Sequence, residues 1–219
     1  MIVVFYVVLA VVGCFNGDFI STMKKLDYSD MPVEADKILL HTCCAPCSSA
    51  IIEDMMVHSV TPVIYYSNSN IFPQDEYLKR KDECTRYAQS LGLEIIDADY
   101  DHQNWLDWVR GMEDQPERGA RCLACFRYRL LKSATYAVEH GIRVMTTTLA
   151  SSRWKSLEQI NEAGEWACRT ANEGIPEDRQ VFWWDRNWRK GGLQERRNQL
   201  IRELGFYNQL WCGCEFSKR

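Results

Sequence analysis

Two hydrophobic patterns recur along the chain. Short apolar runs predict buried strands, whereas longer stretches with apolar residues three or four positions apart predict helices. Strands are expected at residues 37–41, 60–66, 93–96, 143–148 and 181–184. Helices are expected at residues 48–57, with Ser48 or Ser49 near the N-cap, and at 73–91, 105–109, 122–140, 155–173 and 192–204.

The order of these elements predicts the fold class. Because strands and helices alternate almost throughout, we expect an α/β fold with a mostly parallel sheet flanked by helices. The length of 219 residues, with 46% apolar and 26% charged residues, suits one globular domain and excludes a disordered chain or a multispanning membrane protein. Residues 23–219 are therefore expected to form a single catalytic domain with a Cys-Gly-Cys tail.

Residues 1–22 form a separate segment outside this core. Its apolar stretch is shorter than the roughly 20 residues of a membrane-spanning helix, and no Lys or Arg precedes it, as one would in an export signal. Two interpretations stay open: an over-long reading frame with Met23 as the start, which we favour, or a signal-like segment with a lipoprotein site at Cys14. The cysteine pairs downstream favour a reducing, cytoplasmic compartment without membrane contact.

The charge distribution confines any nucleic-acid surface to a local patch, because the net charge is −4 and the pI about 5.6. Residues 179–202 carry seven Arg or Lys against two acidic residues, interleaved with Trp183, Trp184 and Trp188. A second basic cluster lies at residues 79–81. Arginine and tryptophan hold phosphates and stack on bases, so contact with RNA is one interpretation. A solvated helix face beside a tryptophan-rich core is the other.

Six of the ten cysteines fall in close pairs, which are Cys43–Cys44, Cys122–Cys125 and Cys212–Cys214. A domain of this size does not need disulfides to fold, so the pairing indicates metal or redox chemistry. The first pair follows a predicted strand, at the sheet edge where α/β proteins bind ligands. The second pair opens a helix, whose N-terminus favours thiolates.

Zinc and an iron–sulfur cluster both remain possible for these thiols. Adjacent cysteines chelate one tetrahedral ion poorly, and the thiolate positions of a cluster are spread more widely, so we favour the cluster. Cys47 is either a further ligand or the start of the helix. Cys84 and Cys168 fall inside helical patterns and are expected to be buried apolar residues.

Six blocks of sequence identify a resemblance that runs from Ile38 to Phe216. They are HTCCAPCS, YSNSNIFPQDEYLKRK, RCLACFRYRL, TTTLASSRWKSL, FWWDRNWRKGG and GFYNQLWCGCEFS. The chain resembles the cobalamin-independent epoxyqueuosine reductases, the QueH family. This resemblance implies a Rossmann-like, HUP-type nucleotide-binding fold and the reduction of epoxyqueuosine in tRNA to queuosine, the final step of queuosine biosynthesis.

The resemblance also assigns roles to individual cysteines. Cys43, Cys44, Cys122 and Cys125 match the residues that hold a [4Fe-4S] cluster in the family, and Cys212 and Cys214 match a redox-active, catalytic pair. Some members are thought to hold an additional iron ion. One member has Asp where this chain has Cys47, which leaves the ligands of a second iron undecided.

The expected reaction needs two electrons and two protons, because an epoxide becomes an alkene. No glycine fingerprint for NAD or FAD is present, so we expect an external electron-donor protein. Tyr66, His41 and Asp75 are weak candidates for the proton donor. Two other functions stay open: an ATP-dependent tRNA-modifying enzyme of the same fold, and a non-enzymatic zinc protein that binds RNA.

Overall fold

A computed structural model describes residues 26–217 of the chain. The expectations for residues 1–22, for Met23 and for Cys14 lie outside this range. None of the helices in the described range is long and apolar enough to cross a membrane.

Five parallel strands form one sheet in the order β3-β2-β1-β4-β5. The strands are β1 (Lys37–His41), β2 (Thr61–Tyr66), β3 (Ile95–Asp97), β4 (Val144–Thr147) and β5 (Phe182–Trp183). In the centre of the sheet, Leu40 of β1 pairs with Ile64 of β2 on one side and with Thr146 of β4 on the other. The strand order therefore reverses at β1, and ligands of such sheets bind beyond the carboxyl ends of the strands at this point.

Six α-helices pack around the sheet in the described part of the chain. They are α1 (Ala45–Val57), α2 (Gln74–Ser90), α3 (His102–Trp108), α4 (Ala120–Glu139), α5 (Leu157–Ala171) and α6 (Leu193–Leu204). Short 3₁₀ turns cover Thr148–Ser151, Glu177–Arg179 and Glu215–Ser217. The α/β class and the parallel sheet are confirmed, and the strand order is consistent with a Rossmann-like fold.

One departure from the expected elements is the start of α1. The helix begins at Ala45 rather than at residue 48, because Cys44 takes the extended N-cap conformation and Pro46 suits the first helical turn. Ser48 is therefore not the N-cap, and its hydroxyl donates to the carbonyl of Cys44 at 3.1 Å. The early start places Cys47 inside the first turn of α1.

The core is formed by the sheet and the apolar faces of the helices. Ile38, Leu39 and Leu40 are completely buried, as is typical of a central parallel strand covered on both faces. Cys84 and Cys168 are buried as expected, and burial raises the pKa of the Cys168 thiol to about 12. These two cysteines are structural.

Two arginines of the basic stretch at residues 179–202 are held by contacts within the folded structure. The Arg186 guanidinium pairs with Asp30 at 2.7 Å and lies against the buried rings of Trp184 and Trp188. Arg196 forms an ion pair with Glu53 at 2.7 Å. These side chains are structural, and the stretch does not present them as a free cationic surface.

Candidate metal and redox site

Three thiols meet where β1 passes into α1. Cys43 and Cys44 follow the strand directly, and Cys47 lies one turn later in the helix. Their Sγ atoms all lie within 4.8 Å of one another, and those of Cys43 and Cys44 are 3.7 Å apart. We call Cys43, Cys44 and Cys47 the thiol trio.

Hydrogen bonds within the thiol trio allow one member to ionise. The pKa of Cys43 lies well below its usual range because the thiols of Cys44 and Cys47 donate to its sulfur. Burial raises the pKa of Cys44. The hydrogen bond that Cys47 makes with Cys43 raises the pKa of Cys47 to about 11. The Thr148 hydroxyl adds a 3.5 Å hydrogen bond to the Cys43 sulfur. A bound metal cation would supply the charge that lets the other two thiols ionise.

A second pair of thiols lies at the start of α4. Cys122 is half-buried and Cys125 is buried, and burial raises the pKa of both. The backbone N–H of Arg118 donates to the Sγ of Cys122 at 3.3 Å. Cys125 packs in one buried cluster with Cys214, and Cys212 packs against it, so the C-terminal segment lies beside this helix.

The C-terminal segment is fastened to the loop after β2 and to α2. The backbone N–H of Phe72 donates to the carbonyl of Gly213 at 2.9 Å, and the buried Arg80 donates to the carbonyl of Cys212 at 3.3 Å. Gly213 has φ +97°, and a Cβ there would lie 2.7 Å from Cγ1 of Ile71. A glycine is therefore required between the two cysteines, both for its backbone conformation and for the space available.

Cys212 and Cys214 share one proton through a hydrogen bond between their sulfur atoms. The Cys214 thiol donates to the sulfur of Cys212, which lowers the pKa of Cys212 to about 5 and raises that of Cys214 well above its usual range. All nine cysteines in residues 26–217 are free thiols, so these two are not joined by a disulfide here. The pair contains one thiolate nucleophile and one thiol donor near neutral pH.

One lysine links the two groups of thiols electrostatically. Beyond the hydrogen bonds between the thiols, the positive charge of Lys155 lowers the pKa of Cys43, Cys47 and Cys212. Lys155 lies in the loop between β4 and α5, which follows the carboxyl end of β4. The side-chain amide of Gln209 donates to the Sγ of Cys44, and Cys214 packs with Cys125. The C-terminal segment therefore contacts both the thiol trio and the α4 thiols.

Comparison with known proteins identifies the family of the chain. The family model for epoxyqueuosine reductase QueH matches residues 38–219. The chain belongs to the QueH family.

Three relatives, each named epoxyqueuosine reductase QueH, show how much of the sequence is shared. The Histophilus somni protein is 45% identical over 94% of this chain and 81% of its own length. The Haemophilus influenzae protein is 44% identical over 87% of this chain and 75% of its own length. The Acinetobacter baylyi protein is 42% identical over 86% of this chain and 84% of its own length. The similarity therefore extends over most of each protein.

The structure of this QueH protein divides the four expected cluster cysteines between two groups. Cys43 and Cys44 group with Cys47, whereas Cys125 packs with Cys214 around the buried ring of Trp105. In residues 26–217, the four expected cysteines do not all lie within 4.8 Å of one another.

Three polar residues of the site were not identified from the sequence as partners of the thiols. They are Thr148, Lys155 and Gln209. Thr148 could have been recognised from the sequence as a polar residue at a predicted strand end. No sequence pattern indicated that Lys155 or Gln209 belongs to the site.

Two of the three proton-donor candidates, His41 and Tyr66, make hydrogen bonds within the folded structure. Burial, with the nearby charge of Arg129, lowers the pKa of His41 to about 3, so its ring is neutral. Its Nε2–H donates to the carbonyl of Ser67 at 3.1 Å, which leaves Nδ1 to accept from the Thr147 hydroxyl at 2.6 Å. The Tyr66 hydroxyl donates to a backbone carbonyl at 3.2 Å. Neither proton is free for a substrate, and Asp75 is exposed at the start of α2.

Proposed function

We infer that this QueH protein reduces the epoxide of epoxyqueuosine in tRNA to the alkene of queuosine. The observation that carries this inference is that the C-terminal segment contacts both other groups of thiols, the thiol trio through Gln209 and the α4 thiols through Cys214. The activity is the one that the family and its relatives are named for. A tRNA substrate and free thiols together favour a cytoplasmic location.

Cys43, Cys44, Cys122 and Cys125 would hold a [4Fe-4S] cluster in this proposal. The donor set fits, because thiolates are the usual ligands of such clusters and the α4 thiols lie at a positive helix N-terminus. The thiol trio fits as well, since its members cannot all ionise without a nearby cation. The cluster, when bound, supplies single-electron transfer. Cys47 remains available as a ligand of an additional iron ion.

Cys212 and Cys214 would supply the two electrons of the reaction. The Cys212 thiolate and the Cys214 thiol become a disulfide, releasing two electrons and one proton, and solvent provides the second proton. On the substrate, both C–O bonds of the epoxide break, a C=C bond forms, and the oxygen leaves as water. An external electron-donor protein then returns two electrons to the disulfide.

One observation also favours a simpler site. Three sulfur atoms within 4.8 Å are compact enough to bind a single zinc ion, which would suit a non-enzymatic protein that binds RNA. Metal and sulfide analysis separates the two possibilities, because a zinc site contains neither iron nor inorganic sulfide.

The test is the conversion of tRNA that carries epoxyqueuosine, using anaerobically purified protein and dithionite, with mass spectrometry of the released nucleosides. The wild type should form queuosine. Cys214→Ser should keep its iron but lose turnover, and oxidised wild type should yield a C-terminal peptide two hydrogens lighter. Cys168→Ser is the matched control, because this buried cysteine lies in α5 outside the thiol groups. A wild type with full iron and sulfide that forms no queuosine would disprove the proposed activity.

A further inference from the structure

Three aromatic rings are exposed within residues 26–217. They belong to Phe72, Trp108 and Trp154, which are 44%, 42% and 72% exposed. We call these three residues the aromatic rim. Single exposed apolar residues are common on protein surfaces and need no special explanation. These three rings are of interest because of their positions relative to the cysteines.

Two of the rings are attached directly to cysteine-bearing segments. The backbone N–H of Phe72 donates to the carbonyl of Gly213, between Cys212 and Cys214, at 2.9 Å. The indole N–H of Trp108 donates to the carbonyl of Ala124, next to Cys125, at 2.9 Å. The Trp108 ring and the Phe72 backbone are therefore held beside segments that carry thiols of the site, and part of each ring is open to solvent.

The third ring is on a loop that two arginines hold in place. Arg118 donates to the carbonyl of Trp154 at 2.8 Å, and the backbone N–H of Arg118 bonds the Cys122 sulfur. Arg189 donates to the carbonyls of Ser152 and Lys155 at 2.6 and 2.8 Å. These two cations fix the backbone on both sides of a tryptophan whose ring is mostly exposed. Such fixing positions the ring before a partner arrives.

Arg118 also connects Trp154 to a thiol of the site. Its guanidinium donates to the Trp154 carbonyl, and its backbone N–H donates to the Sγ of Cys122 at 3.3 Å. A planar group that stacks on the exposed Trp154 ring would therefore lie close to the α4 thiols.

The charge around Trp154 is positive. The Arg153 guanidinium carbon lies 5.1 Å from the centre of the tryptophan ring, and residues 148–157 contain no Asp or Glu. A polyanion with planar, unpaired groups complements this combination of a ring and a cation. Single-stranded RNA has this chemistry, because every base offers a π face and every linkage carries a phosphate.

We propose that the aromatic rim, chiefly Trp154, is the surface on which unpaired bases of the tRNA substrate stack, with Arg153 contacting the phosphate backbone. This inference rests on the proposed function, since it supplies the position at which the RNA meets the thiols. It also replaces the basic stretch at residues 179–202 as the main RNA contact, because Arg186, Arg189 and Arg196 have partners within the protein.

The test uses fluorescence anisotropy with two unmodified RNA probes, a hairpin with an unpaired loop and the same sequence closed into a continuous duplex. Trp154→Ala should weaken binding of the hairpin by about tenfold or more, as expected for the loss of one stacked base. Trp154→Phe should restore most of that affinity, and binding of the duplex should change little. Leu204→Ala is the matched control, because Leu204 is 46% exposed at the end of α6.

Unchanged hairpin affinity in both Trp154→Ala and Trp108→Ala would overturn the inference. If the same variants instead slowed reduction only when a protein donor replaced dithionite, the rim would be a docking site for the electron donor. The proposed function is tested separately. If the wild type binds the hairpin through Trp154 but forms no queuosine, the proposed activity is disproved and the proposed RNA-binding surface is not.

Discussion

The side-chain amide of Gln209 donates a 2.7 Å hydrogen bond to the Sγ of Cys44. This contact joins the C-terminal segment to the thiol trio across 165 residues of sequence. Because Cys212 lies only three residues further along the segment, the same contact keeps the redox pair beside the trio. The spatial relation between the two thiol groups therefore depends on Gln209 as well as on the cysteines.

Replacing Gln209 should separate the two functions of the site. In Gln209→Leu we expect turnover to fall by about three- to tenfold, because loss of one hydrogen bond of roughly 1 kcal/mol loosens the segment that carries Cys212 and Cys214. Bound iron should stay the same, since all four proposed cluster ligands remain. Asn208→Ala, at the exposed neighbouring position, is the control. Loss of iron in Gln209→Leu would show instead that the glutamine is needed to assemble the metal site.

The reactivity of Cys212 should depend on pH in a defined way. Its pKa is about 5 because Cys214 donates to its sulfur, so the thiolate forms as the pH rises through 5 and its fraction is constant at neutral pH. Alkylation of the metal-free protein by iodoacetamide, followed by peptide mass spectrometry, should show this profile.

Cys214→Ala and Cys168 provide the comparison for that measurement. Alanine has no hydrogen to donate to the Cys212 thiolate, so the midpoint for Cys212 should move towards higher pH in Cys214→Ala. Cys168, with a pKa of about 12 and a buried side chain, should stay unmodified in the native protein. A Cys212 midpoint near the ordinary cysteine value in the wild type would contradict the hydrogen-bonded pair.

Arg189 and Lys190 should differ although they are neighbours in the basic stretch. Arg189→Ala removes hydrogen bonds to the carbonyls of Ser152 and Lys155, so we expect a loss of about 1–3 kcal/mol of unfolding free energy and weaker binding of the RNA hairpin. Lys190 is exposed, and Lys190→Ala should change stability by less than about 0.5 kcal/mol. Urea denaturation and anisotropy measure both effects. Equal losses of stability in the two variants would contradict the structural role of Arg189.

The sequence was sufficient to locate the chemistry but not to connect its parts. Cys43 and Cys44 could be placed at a ligand-binding edge because they follow an apolar run, and parallel strands carry their ligands at the carboxyl end. Cys122 and Cys125 could be placed on a helix because the apolar positions after them repeat with helical spacing. The same local rules predicted the order of strands and helices along the chain.

Other features depend on contacts that no local pattern encodes. Cys47 lies in the thiol trio because Pro46 and the extended backbone of Cys44 start α1 early. Trp154 and Trp184 belong to the same residue type, yet one is exposed and the other buried, since only the tertiary structure decides which ring the core covers. The pairing of Arg186 with Asp30 joins residues 156 positions apart, so the charge pattern alone suggested a free basic surface.

The most direct test of the central claim is an anaerobic count of iron and inorganic sulfide per chain in the wild type and in single Cys→Ser variants. A [4Fe-4S] cluster held by the two adjacent cysteines and the α4 pair predicts close to four iron and four sulfide in the wild type. Ser at Cys43, Cys44, Cys122 or Cys125 should lower both counts, whereas Cys84→Ser should lower neither. If all four variants kept full iron and sulfide, or if the wild type held zinc without sulfide, the account of the site would be wrong.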